Sequence, residues 1–186
     1  MAHTENMKIT REWAMPNKNT FSIKPIAGLI HRYYTPDIFS IDPFANQNRI
    51  ATLTNDLDEQ YNTNYHVDAV DFLDIFYTES IDLVLFDPPF TPRQVAESYK
   101  RLGKTVNTET TQMSYWGNLK DKIARIVKGN GVVITCGWNS NGVGKKRGFK
   151  IIEILLVAHG SAHNDTIVTV EKKAQETLKE KKCGEK

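Results

Sequence analysis

Short apolar runs recur along the chain, each closed by turn-forming or acidic residues. Residues 81–86, Ile-Asp-Leu-Val-Leu-Phe, have the length and composition of a buried strand. Residues 38–41, 51–54, 132–136, 149–157 and 166–170 repeat that signature. Between these runs the apolar spacing changes to that of a helix. Residues 26–34 predict a short helix, Val70, Phe72, Leu73 and Phe76 a second, and residues 91–103 a third, with Thr91 as N-cap, Pro92 in the first turn and Gly103 as the stop. Leu119, Ile123, Ile126 and Val127 share one face of a fourth, which Gly129-Asn130-Gly131 is expected to terminate. Strands alternating with helices predict an α/β fold: a mostly parallel twisted sheet, helices on both faces, and the last two strands as an antiparallel hairpin at its edge. Residues 1–22 read as irregular but part of a single domain spanning 1–172. Residues 173–186 form a charged tail, either a solvated helix or frayed.

Composition agrees with one domain. The chain has 186 residues, 40% apolar and 10% aromatic, enough for one sizeable core. No apolar run approaches the roughly 20 residues of a membrane span, and the polar N-terminus lacks a signal-peptide core. The expectation is a soluble cytoplasmic protein with no membrane partner. Cys136 and Cys183 offer neither a disulfide framework nor zinc-ligand spacing. His159, His163 and Asp165 suit loop chemistry better than a metal, and none is expected. A net charge of +2 leaves nucleic-acid binding to local basic stripes.

Candidate chemistry comes from the strand ends, where carboxylates repeat: Asp42, Asp56, Asp68 and Asp87 would gather at the carboxyl rim of the sheet, where open α/β folds bind ligands. Any one of them is also an ordinary turn residue. Taken in order, they suit a ligand with a cationic centre, a ribose and an adenine. Asp42 would lie near the cation, Asp56 would accept from ribose hydroxyls, and Asp68 from an exocyclic amine. This describes S-adenosylmethionine better than a dinucleotide, since no G-x-G-x-x-G turn cradles a pyrophosphate.

The strand at 81–86 runs straight into Asp87-Pro88-Pro89-Phe90. Two prolines freeze the backbone where an acid and an aromatic protrude. An amine conjugated to a heterocycle is a poor nucleophile, and acceptors for its N–H groups let it pyramidalise and direct its lone pair. Asp87 and the Pro88 carbonyl are such acceptors, Pro89 fixes their separation, and Phe90 offers a stacking face for a flipped base.

Asp87-Pro88-Pro89-Phe90 resembles the catalytic motif of the amino-methyltransferases that modify adenine N6 or cytosine N4 in DNA, and its Asp-first form resembles the adenine enzymes. "FSIKPIAGLIHRYY", with Lys24 and Pro25, resembles the leading donor-site motif of one branch. "FSIDPFANQN", with Asp42, Pro43, Phe44 and Ala45, resembles the first-strand motif. "TNDLDEQY" and "HVDAVDFL" resemble the segments carrying the ribose and adenine acids, here Asp56 and Asp68 with Ala69, and "KGNGVVIT" a later Gly-strand element. The matching segments cover roughly residues 20–100 and are closest to small phage-encoded or orphan adenine methylases, whose wider family includes enzymes of restriction-modification systems.

The resemblance implies a Rossmann-like methyltransferase fold, S-adenosyl-L-methionine as cofactor, and methylation of adenine N6 in DNA, in a bacterial host or a phage-infected cell. Cytosine N4 or an RNA adenine is the near alternative. Two departures stand out. Asn46, Gln47 and Asn48 replace the family's usual glycines, and no target-recognition domain is evident. They motivate two further readings: a donor-binding or donor-consuming anti-restriction protein that does not methylate DNA, and a non-catalytic subunit of a hetero-oligomer. Nucleic-acid contacts are expected from Arg93, from Tyr115 and Trp116 in a polar loop over 104–117, and from Lys145, Lys146 and Arg147, a triplet that equally suits an ordinary solvated turn. A homodimer or a separate recognition subunit would supply what one chain lacks.

Overall fold

A strand apolar at nearly every position must be covered on both faces. In a computed structural model, which describes residues 6–89, 91–101, 113–160 and 163–175, β4 (Ile81–Phe86) occupies that place, with Ile81, Leu83, Val84, Leu85 and Phe86 at most 1% exposed. It lies between β2 (Ser40–Asp42) and β5 (Val127–Gly137), parallel to both. Beyond β2 lies the two-residue β3 (Leu53–Thr54). On the other side β7 (Thr166–Lys173) runs antiparallel to β5 and pairs with β6 (Phe149–Ala158) as a hairpin. With β1 (Lys8–Trp13) parallel to β6, the seven strands follow the order β1-β6-β7-β5-β4-β2-β3.

This is the mostly parallel, helix-flanked sheet that the alternating pattern predicts. The hairpin is present, but β1 continues the sheet beyond it. Lys8–Trp13 reads poorly as a strand because four of its six residues are charged or polar and five are exposed. Backbone pairing and a Lys8–Glu153 contact of 3.2 Å hold it instead.

The helices cover two faces. α1 (Lys24–Tyr33) packs Ile26, Leu29 and Ile30 against Leu83, Leu85, Leu155 and Val157. On the opposite face α2 (Ala69–Asp74) and α4 (Met113–Ile126) meet over Ile41, Val84 and Phe86 through Phe72, Leu73, Leu119 and Ile123. Between them in sequence runs α3 (Pro92–Arg101), opened by a reciprocal cap. Thr91 Oγ1 accepts from the Gln94 N–H at 3.1 Å, and Gln94 Oε1 accepts from the Thr91 N–H at 3.1 Å.

Three local expectations change. Tyr115 and Trp116 lie in the first turn of α4, not in a loop. Gly129-Asn130-Gly131 does not end that helix but lies inside β5, where the register against β4 shifts and Asn130 takes a left-handed φ of 66°. Asp68 tips no strand; it is the N-cap of α2, and nearby pairing is a single bridge between Asn55 and Tyr65.

Candidate active site

Because β2, β3 and β4 run parallel, their carboxyl ends open together into a cleft of about 640 Å³. Three of the four predicted acids, Asp56, Asp68 and Asp87, line it, as do Pro43, Phe44, Ala45, Ala69, Pro88, Pro89 and Tyr115. Asp42 lies beneath, fully buried. Its Oδ1 accepts from the Phe44 N–H at 3.0 Å and its Oδ2 from Asn48 Nδ2 at 2.8 Å. Burial pushes the Asp42 carboxyl up to about 7, and the charges of Asp87 and Asp56 add to the shift.

The loop after β2 turns without glycine. Asn46 adopts φ 51°, a left-handed conformation that asparagine tolerates, and its N–H donates to Asp56 Oδ2 at 2.9 Å. Asp56 Oδ1 accepts from the Asp58 N–H at 2.9 Å. Both oxygens of the expected ribose acid are thus fixed by backbone donors. Asp68 Oδ1 caps α2 through the Val70 N–H at 2.8 Å, while its Oδ2 accepts from the Tyr99 hydroxyl. Tyr99 reaches it from α3, the helix that follows the double proline.

Asp87 closes the cleft. Its Oδ1 is buried and has no hydrogen-bond partner within the described chain. The Thr20 hydroxyl hydrogen-bonds the carboxylate, and burial pushes its pKa up to about 6. The corner is also held from behind, where Trp116 Nε1 donates to the Pro89 carbonyl at 2.9 Å. Phe90 lies outside the described residues.

Lys24 and Pro25 open α1 and do not line the cleft; the preceding segment, Asn17 to Phe21, forms that wall. Arg93 is exposed on α3 and paired with Glu97 at 2.7 Å. Lys145, Lys146 and Arg147 form a short 3-10 turn immediately before β6. Phe149 pairs with Lys173, at the amino end of the parallel strands, so the triplet lies at the end of the sheet away from Asp87. Arg147 is tied to Asp121 on α4 at 2.6 Å.

Asn19, Thr20 and Tyr99 are wall residues that sequence reasoning missed. Tyr99 carried a usable signal, because it follows Val95, which also lines the cleft, by four residues on one face of a helix beginning at the corner. His159 is not poised for a metal. One ring nitrogen lies 2.8 Å from the Ala14 carbonyl and the other 2.8 Å from Thr166 Oγ1. Among the described residues no three His, Cys, Asp or Glu side chains converge on a metal position, and no helix is long and apolar enough to cross a membrane.

No family model and no curated protein matches the chain. Solved structures do. TrmN from Thermus thermophilus is 16% identical with a TM-score of 0.52, covering 81% of this chain and 49% of its own, so the chain spans about half the length of that protein. A Burkholderia thailandensis 1,6-didemethyltoxoflavin-N1-methyltransferase, with 1,6-didemethyltoxoflavin and S-adenosylhomocysteine bound, is 11% identical, with a TM-score of 0.55 over 82% and 78% of the two chains. An S-adenosylmethionine-dependent methyltransferase of Methanosarcina mazei is 10% identical, with a TM-score of 0.51 over 80% and 98%. The fold is therefore the Rossmann-like fold of S-adenosylmethionine-dependent methyltransferases.

Proposed function

We propose that the protein transfers a methyl group from S-adenosylmethionine to the N6 amine of adenine in DNA. The observation that carries this is Asp87: a carboxylate at the carboxyl end of the central strand, locked before two prolines and facing the acid-lined cleft, with an oxygen that nothing in the described chain satisfies. An unsatisfied buried acceptor is costly to keep unless a ligand supplies the donor.

The residues present suit the cofactor. Among the described residues lining the cleft, Asp56, Asp68, Asp87 and Glu97 outnumber Lys18, an arrangement that favours a ligand bearing sulfonium and ammonium charge. Asn19 Oδ1 and Asn46 Oδ1 are two further buried acceptors without partners on the same wall. Asp56 would hold the ribose hydroxyls, and Asp68 with Ala69 the adenine end. When bound, the cofactor supplies an electrophilic methyl group on sulfur.

The chain does the rest by positioning. Asp87 Oδ1 accepts one N–H of the target amine, and the Pro88 carbonyl is the acceptor for the other. With both N–H groups engaged, the nitrogen lone pair is directed out of the ring plane. Thr20 fixes the carboxylate from the N-terminal wall, and Trp116 fixes the Pro89 carbonyl from α4, so the acceptors are set before the amine arrives.

The test is incubation of the purified protein with methyl-labelled S-adenosylmethionine and unmodified DNA, followed by digestion to nucleosides. Labelled N6-methyladenine is expected, and Asp87→Ala should lower it by about 10²–10³-fold or more with donor binding retained. Label in cytosine or in RNA adenine would reassign the acceptor. Donor bound or consumed without any labelled base would instead support a donor-sequestering protein, a reading that the acid-rich cleft and the remote basic triplet favour.

A further inference from the structure

β1 is the last strand on its side of the sheet, and among the described residues nothing pairs with its outer side. Ala14 donates its N–H to the Ala158 carbonyl at 3.1 Å. Backbone groups alternate along a strand, so Lys8, Thr10 and Glu12 turn theirs toward β6, and Ile9, Arg11 and Trp13 present theirs outward. The side chains at alternate positions are unusually apolar for an exposed edge. Met7, Ile9, Trp13 and Met15 are 46%, 57%, 64% and 67% exposed. An open edge carrying a row of large apolar side chains is a template for another strand.

We propose that the partner is a second copy of this chain, paired antiparallel along β1 about a two-fold axis through Thr10. Outward-facing residues must pair with one another, which leaves few registers. With Arg11 on the axis two guanidinium groups would meet, and with the axis at Glu12 two carboxylates would. With Thr10 on the axis, Lys8 of each copy lies opposite Glu12 of the other, Met7 lies opposite Trp13, and Ile9 lies along the aliphatic stem of Arg11. Opposite charges and apolar pairs across such a ladder are favourable, and like charges are not. The interface is isologous, as closed two-fold assembly requires. It joins two seven-stranded sheets into one, and because the two β1 strands run in opposite directions, the two clefts open at opposite ends of the assembly. Nothing in it depends on the proposed reaction.

Light scattering and sedimentation of the full chain should show a particle of twice the 21.2 kDa chain mass. In amide exchange, the N–H groups of Ile9, Arg11 and Trp13 should be protected. Arg11→Pro removes only an outward N–H, which edge strands tolerate, and should abolish the dimer while leaving the fold and the β6 pairing intact. Trp13→Glu, which leaves the backbone untouched, should have the same effect and decides the matter if Arg11→Pro fails to fold. A monomeric native protein, or a dimer that survives Trp13→Glu with Ile9 and Arg11 still exchanging freely, overturns the proposal.

Discussion

At the scale of single residues, the site is a set of carboxylates given different tasks by their surroundings. Asp42 is buried, doubly bonded and pushed up to about 7, so it organises the loop. Asp87 is pushed up to about 6 by burial, and its ionised form is the stronger acceptor of an amine N–H. Methyl transfer, measured as kcat/KM, should therefore rise with pH through about 6 and level off above it; a profile flat from pH 5 to 7 would remove Asp87 from the acceptor role. The proposed role of Asp56 is tested by donor affinity. Removing a hydrogen-bonding carboxylate is worth roughly 1.5–3 kcal/mol, so Asp56→Ala should weaken donor binding by calorimetry about ten- to a hundredfold, and unchanged affinity would end the ribose assignment. The aspartates were legible because each ends an apolar run or precedes a helix. Thr20 was not, since a hydroxyl in a polar segment gives no hint of the partner 67 positions later that it will meet.

At the scale of elements, what the sequence conceals is mostly where backbone geometry departs from the regular. β5 takes in the glycines that seemed to end α4, because the strand bulges there. Gly131 sits where a Cβ would come within 2.7 Å of Val127 Cγ1 and 2.9 Å of the Lys128 carbonyl. Gly131→Ala should consequently destabilise the fold by about 1–3 kcal/mol in denaturant melts, the usual scale of overpacking; a neutral substitution would mean the bulge can shift. α4 itself begins earlier than expected, since its first turn packs Tyr115 and Trp116 against the double-proline corner in place of an amphipathic repeat. By contrast α1, α3, β4 and the β6–β7 hairpin follow directly from apolar periodicity and turn residues, and there the sequence sufficed.

For the molecule as a whole, burying acids under a cleft has a signature in stability. Asp42 and Asp87 have raised pKa values when folded and ordinary ones when unfolded. The folded state therefore holds more protons than the unfolded state over that interval, and their contribution to stability falls as pH rises from about 4 to about 7. Asp42→Asn should flatten this slope in thermal melts followed across that range; an unaltered slope would place the proton elsewhere.

The direction of the strands carries one more consequence. Lys173, the last residue of β7, pairs with Phe149, the first of β6, so β7 ends at the amino end of the parallel strands, whereas Lys8 pairs with Glu153 midway along β6. The cleft opens at the other end, roughly 20 Å away across strands of about six residues at about 3.3 Å each. A reporter or a surface anchor attached beyond β7 can thus hold the protein with its cleft facing free solution.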